Sequence, residues 1–346
     1  MMASPPVLGV LGTLVRDTIH RDDEGVEEAT EAWGGIAYAL ESLEAGLAEG
    51  WEVLPLVKVG ADLAKDAEDY LSRLPRVRVG PGLVQAADRN PRVELRYVDG
   101  VRVSERISHI PPAWSRSELE PLVAECDALY VNFITGFEME LETALQVRAH
   151  FQGPIFADLH SLFLALDHEG RRSPRTLPEA ERWLGAFDAV QVNEREFHLL
   201  SGGDGDPWRW ATQAVGSGVS LITVTLEDRG AAYTAVPGLP PDPFQWVRLR
   251  GREVGDASAE VGAVEQRKGS IRGDSTGCGD VWGSALFARL LAGESLEGAM
   301  EQANGMAARN LGHSGADGLA HHLVPASGTG GGEPVEGEST TRGGQP

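Results

Sequence analysis

Cysteine is nearly absent from this 346-residue chain, with Cys126 and Cys278 the only two. They lie far apart and form neither a C-x-x-C nor a Cys/His ligand spacing. That excludes a disulfide framework and a zinc site, and it fits a reducing cytoplasm. Lysine is almost as scarce: Lys58, Lys65 and Lys268 are the only ones, so positive charge is carried almost entirely by Arg and few mechanisms can be built on a lysine. The G-x-x-x-x-G-K-[ST] phosphate loop is absent. Long apolar runs are missing too. No segment approaches the roughly 18 apolar residues of a membrane span, and Met1 to Pro6 carry no basic stretch leading into such a run. A cytoplasmic protein with no membrane partner is expected. The formal net charge of −22 opposes encounter with nucleic acid or an anionic membrane.

What is present suits a large α/β domain. At 42% hydrophobic composition the chain can bury a sizeable core. Short apolar runs at Val7–Leu11, Val53–Val59, Leu129–Phe133, Ile155–Leu159, Ala189–Val192 and Leu221–Leu226 read as strands. Helix-length stretches separate them. Ile36, Leu40, Leu43 and Leu47 recur at helical spacing before Gly50, and two further helices are expected at Cys278–Leu291 and Leu296–Leu311. This alternation implies a mainly parallel sheet covered by helices.

Two stretches break the rhythm. From Arg92 to Ile107, residues Val93, Leu95, Tyr97, Val101 and Val103 alternate with charged ones around an Asp99-Gly100 turn, which predicts an antiparallel hairpin. Thr18 to Trp33 is polar and strand-compatible. Together they form a small β-sheet outside the main domain, with one apolar face to cover. A ligand or a second subunit would make it a lid, and packing on its own domain is the plainer alternative. From Ala326 onward Gly, Ser, Thr, Glu and Pro predict a disordered tail, 326–346, whose Gly328–Gly332 run has no strand before it or helix after it. The stretch between Tyr233 and Arg272 reads only as strands and loops.

The most informative segment is Asp274-Ser275-Thr276-Gly277-Cys278-Gly279-Asp280, which runs directly into an apolar helix. Gly277 and Gly279 let unpaired N–H groups at the helix start face an anion. Asp280, in the first turn, is placed to take a proton from an attacking hydroxyl. Taken alone, it is equally an acidic residue favoured at any helix N-terminus.

The segment resembles the D-T-x-G-A-G-D signature of the ribokinase-like (PfkB) family of carbohydrate kinases, with Cys278 in place of the usual Ala. The resemblance implies that Asp280 is the catalytic base and that Gly277, Cys278 and Gly279 form the anion hole. Asp274 would lie beside a monovalent cation such as K⁺ in members that use one. Other motifs follow in family order. Asp17 would hold substrate hydroxyls. Gly34-Gly35 resembles the N-terminal glycine pair, and Tyr38 stands in the region where the family commonly has Asn.

Asn193-Glu194-Arg195-Glu196 matches N-x-x-E, whose Asn and Glu help organise Mg²⁺, its waters and the phosphates of ATP; helix capping alone would also favour it. Thr225 to Gly230 resembles T-x-G-x-x-G with Glu227 in place of the first Gly, leaving Thr225 and Gly230 as nucleotide contacts. Ala303-Asn304 with Gly315-Ala316 resembles the stretch closing over adenine, with Asn304 the contact; a polar residue on a solvated helix face is the alternative.

The resemblance spans about Leu8 to Leu323. It implies a Rossmann-like ribokinase fold over residues 1–325, with a lid at 18–33 and 92–107 that often mediates a homodimer. The implied activity is ATP-dependent phosphorylation of a sugar-like acceptor. A nucleoside kinase and a non-catalytic binding relative are the competing readings. Asn132, Glu138, Asp158 and His160 follow strand ends, where open α/β sheets bind ligands. His321-His322 do not read as a metal site, and Trp183, Trp208 and Trp210 read as packing residues.

Overall fold

A computed structural model describes residues 4–23, 26–98, 101–203, 205–215, 217–250, 259–266 and 273–324. The Asp99-Gly100 turn and the tail from Ala326 lie outside these residues. In chain order the strands are β1 (Val7–Gly12), β2 (Leu14–Asp23), β3 (Val26–Gly35), β4 (Glu52–Gly60), β5 (Leu83–Ala87), β6 (Arg92–Val98), β7 (Val101–Ser108) and β8 (Ala128–Asn132). They continue as β9 (Ile155–Asp158), β10 (Leu164–Leu166), β11 (Arg172–Pro174), β12 (Ala189–Asn193), β13 (Leu221–Thr225), β14 (Ala231–Ala235) and β15 (Glu260–Val264). The helices are α1 (Ile36–Gly46), α2 (Ala64–Leu71), α3 (Arg116–Val123), α4 (Leu141–His150), α5 (Ala180–Leu184), α6 (Glu194–Leu200), α7 (Pro207–Ala214), α8 (Cys278–Leu291), α9 (Leu296–Asn310) and α10 (Leu319–Leu323).

The central sheet has the order β15-β14-β13-β12-β9-β8-β1-β4-β5. Strands β13 to β5 run parallel, as their near-continuous apolar sequences require, while β14 and β15 add an antiparallel edge. Of the described residues in the stretch 233–272, the end of β14 and all of β15 belong to that edge. One core packs α1, α2, α8, α9 and α10 on one face, and a second packs α3 to α7 on the other.

Helix α8 is seated by an aromatic stack, Phe287 against Phe156 and Tyr130, with ring centroids 5.4 and 6.4 Å apart. Burying a side chain such as Phe287 stabilises the fold by about 1.5–3 kcal/mol. Because the helix is held from below, its N-terminus opens at the C-terminal ends of β8, β9 and β12, the edge where parallel sheets bind ligands.

The lid is a four-stranded sheet ordered β3-β2-β6-β7. Pairing of Asp17 with Val93 and Ile19 with Leu95, and then of Val93 with Ile107, puts the apolar residues on one face. Val15, Ile19, Val93, Leu95 and Ile107 are buried there, against the partly buried Ile134 of the main domain. Glu94, Arg96 and Arg106 face away and are exposed. The chain's own main domain therefore helps to cover the apolar face.

Candidate active site

The turn into α8 is shaped by residues that leave its amides open. Gly277 adopts φ 77, and a Cβ there would lie 2.2 Å from the Tyr38 ring, so only glycine fits against that aromatic. Tyr38 itself is buried at 2% exposure and braces the turn. The Asp274 carboxylate accepts from Thr276 N–H at 2.9 Å. Cys278 N–H donates to Ser275 O and Val281 N–H to Gly277 O, and the Asp280 N–H meets its own carboxylate, which leaves the Gly279 amide between them at the helix end. The Cys278 thiol accepts from Asn310 at 3.3 Å and turns toward α9, so only its backbone lines the glycine turn. Its thiol pKa is raised by burial.

Carboxylates converge on this helix end. Asn132, at the end of β8, donates to Asp280 Oδ1 at 2.7 Å. Burial pushes Asp280 up to about pKa 6, while the Asn132 bond and the positive charge of His160 oppose the rise. Asp17, in lid strand β2, is 4% exposed and accepts no hydrogen bond among the described residues. Burial raises it to about 8, helped by the charges of Asp280, Glu105 and Asp274 and opposed by Arg172. Gly34 lies directly beneath it: a Cβ there would fall 1.7 Å from Asp17 Oδ2. Gly35, at φ 59, starts α1 where a side chain would strike Thr13 O.

Asp158 is raised to about 8 by burial and by the neighbouring charges of Asp280 and Glu196. Gln191 Nε2 donates both to Asp158 and to Gly279 O, each at 3.0 Å, which ties β9 and β12 to the glycine turn. Gly283 gives Gln191 its space, since a Cβ there would lie 2.0 Å from Gln191 Oε1.

Asn193 and Glu196 form a reciprocal capping box at the start of α6: Asn193 N–H donates to Glu196 Oε2 at 2.8 Å, and Glu196 N–H to Asn193 Oδ1 at 2.9 Å. Glu196 also bonds His160 Nδ1. Burial opposes a charge on His160, but the Glu196 carboxylate outweighs it and lifts the imidazole to about 9. The capping reading of this pair is the one the geometry shows. Thr225 pairs in register with Asn193 at adjacent strand ends. Glu227 takes φ 55, the left-handed backbone for which the motif's glycine is suited. Gly230, φ 97, has Val264 O where a Cβ would be.

Asn304 is not presented to a ligand. Its amide oxygen accepts from Trp282 Nε1 at 2.7 Å, its nitrogen donates to Val264 O at 3.3 Å, and it is 6% exposed. Neither the adenine contact nor the solvated helix face fits that environment. Gly315 and Ala316 abut lid strand β3 at Ala32 and Trp33. Of the strand-end candidates, Asn132, Asp158 and His160 join the site, whereas Glu138 organises its own loop through Thr13, Thr135 and Gly136. Two residues that the sequence reading did not assign to the site are Gln191 and Arg172. Tyr97, read only as a strand residue, reaches from β6 to Thr276, with 3.1 Å between the hydroxyls.

Two other clefts, of about 540 and 520 Å³, lie away from this chemistry, the first including Arg116, Cys126 and Phe244, the second Phe137, Leu166 and Trp183. Among the described residues no helix is long and apolar enough to cross a membrane, and no group of three or more His, Cys, Asp or Glu is placed to hold a metal ion.

Solved structures share this architecture at low identity. Ribokinase from Thermotoga maritima aligns with a TM-score of 0.67 at 18% identity, over 92% of this chain and 98% of its own. A pyrophosphate-dependent kinase in the ribokinase family, complexed with a pyrophosphate analog and myo-inositol, aligns at 0.66 and 17% over 92% and 98%. The Burkholderia thailandensis nucleoside kinase in complex with inosine aligns at 0.62 and 15% over 91% and 93%. None of the curated proteins matches the chain. The profile of pfkB family carbohydrate kinases matches residues 52–322, and the chain belongs to that family.

Proposed function

We propose that this protein transfers the terminal phosphoryl group of ATP to a hydroxyl of a small sugar-like acceptor. The observation that carries the reading is Asp280: a carboxylate in the first turn of α8, held by Asn132 beside the Gly279 amide and lifted by burial to about pKa 6, with its charge felt by the buried Asp17. A base with a pKa near the working pH accepts a proton efficiently without being protonated beforehand. Asp17, which accepts no hydrogen bond among the described residues, would take hydrogen bonds from acceptor hydroxyls, orienting one toward Asp280. Asp280 takes that hydroxyl's proton as the oxygen attacks. The Gly277 and Gly279 amides and the α8 dipole would hold charge developing on the transferred group.

The donor would lie along the ends of β12 and β13, with Asn193, Thr225 and Gly230 beside it. Mg²⁺ fits here only through water and phosphate oxygens, because Glu196 already bonds Asn193 and His160. Magnesium would supply charge neutralisation between the phosphates. Asp274, held by Thr276, is the residue beside which a monovalent cation such as K⁺ would sit.

Pyrophosphate is a second donor reading. It is favoured by Asn304, whose amide is spent on Trp282 and Val264 and so offers adenine nothing. A nucleoside acceptor remains in the same chemistry, given the inosine complex of one similar structure. A homodimer through the lid is what the family resemblance suggests. Unpaired thiols suit a cytoplasmic setting.

The test is a product screen by mass spectrometry, pairing ATP or pyrophosphate with sugars, polyols and nucleosides. A phosphorylated acceptor that forms only with donor and protein together supports the kinase reading. Tight acceptor binding with no phosphorylated product from either donor supports a binding relative instead.

A further inference from the structure

Arg172 stands at a junction that neither the family motifs nor the proposed chemistry uses. It begins β11, the second strand of a small hairpin that leaves the main domain after β9. Its Nη1 donates to Glu105 Oε1 at 2.7 Å, and its Nη2 donates to Ile134 O at 2.8 Å and Thr135 O at 3.2 Å. The two side chains are 6% and 15% exposed. Glu105 belongs to lid strand β7 and pairs with Leu95, so it shares the cleft-facing side with Asp17. Ile134 and Thr135 follow Asn132, the partner of Asp280. One guanidinium therefore joins the lid to the loop behind the base.

The same hairpin is stitched to the lid through its backbone. Ile107 N–H donates to Gly170 O at 2.9 Å, and Gly170, at φ 80, leaves no room for a Cβ, which would lie 2.3 Å from Ile107 O. Three of the five N–H groups of Arg172 are directed at one carboxylate and two carbonyls on separate parts of the chain, a geometry suited to fixing those parts relative to one another. Removing one partner would leave a buried charge uncompensated.

We propose that Arg172 is a positioning residue: with Glu105 it clasps the lid to the main domain on the acceptor side and so fixes Asp17 relative to Asp280. The clasp itself is independent of the kinase reading; its kinetic consequence rests on that reading.

Hydrogen exchange of the ligand-free full chain tests the clasp directly, using Arg172→Gln, Glu105→Gln and the exchanged pair Glu105→Arg/Arg172→Glu. In each single variant, peptides from β6 and β7 should exchange about tenfold faster, while those from β8 and β9 keep the wild-type rate. The exchanged pair should recover part of the protection. Unchanged lid exchange in Glu105→Gln, which leaves Arg172 bonded to both carbonyls and the fold least disturbed, overturns the proposal. So does lid and core exchange rising together in that variant. With a turned-over acceptor, acceptor KM should rise about tenfold with kcat within about twofold of wild type. Equal loss in kcat with KM unchanged contradicts a positioning role. If wild type phosphorylates nothing, the exchange result still decides the clasp, and only the kinase reading fails.

Discussion

Asp17 and Asp280 are both carboxylates in a buried acidic cleft, but Asp280 has an Asn132 hydrogen bond and Asp17 has none among the described residues. Burial raises both; Asp17 goes to about 8 because the charges of Asp280, Glu105 and Asp274 add to it, and Asp280 stays at about 6 because Asn132 and the His160 charge oppose the rise. Asp280 must be ionised to accept a proton, so kcat/KM should fall as pH drops through about 6. A profile flat from pH 5 to 8 would remove Asp280 from the role. Asp17 has a folded pKa above its ordinary value, so its protonated form stabilises the fold fully below about pH 4, and that contribution is lost as pH rises toward 8. Asp17→Asn, which never ionises, should therefore match wild-type stability at low pH and exceed it by at least about 2 °C in Tm at pH 8. It should lose acceptor binding at the same time, the trade expected of a strained functional group. Thermal melts at the two pH values check the sign. The glycine turn into α8, with Asp280 in its first helical turn, was legible in sequence because a turn into a helix is specified locally. Asn304 and Arg172 were not, because Trp282, Glu105 and Ile134 define their environments from elsewhere in the chain.

Among the elements, the parallel strands and α8 were readable from apolar runs and helical spacing. The short strands β5, β10 and β11 were not, since three to five residues carry too little periodicity to separate from a loop. The lid was readable as an interruption of rhythm, but its full extent, Leu14 to Gly35 for the first hairpin, begins and ends beyond the polar stretch that signalled it. In the β13–β14 turn a glutamate stands in a left-handed backbone that favours glycine. Glu227 at φ 55 costs about 1 kcal/mol relative to glycine, so Glu227→Gly should raise Tm by about 2 °C. A lowered Tm would mean that the side chain contributes more than its backbone costs. The lid reaches the glycine turn through Tyr97, where a register shift beside Arg96 re-aims the strand. Tyr97→Phe should raise acceptor KM about two- to tenfold while leaving the fold intact, as steady-state kinetics with a circular-dichroism melt would report.

At the scale of the whole molecule, an acidic chain of net charge −22 gathers Asp17, Asp158, Glu196 and Asp280 at one end of a parallel sheet and closes a β-lid over them. Such a cleft disfavours phosphate unless cations and oriented amides accompany it, which is the arrangement that phosphoryl transfer requires. The fold was written in the alternation of strand and helix, while the donor and acceptor depend on contacts that close only in three dimensions. The account turns on whether Asp280 removes the acceptor's proton. The measurement that tests this most directly is single-turnover phosphoryl transfer by wild type and Asp280→Asn, with acceptor affinity measured in parallel by calorimetry. A fall of about 10³-fold in transfer with acceptor affinity kept within a few-fold is the predicted result. Transfer in Asp280→Asn at close to the wild-type rate would contradict it.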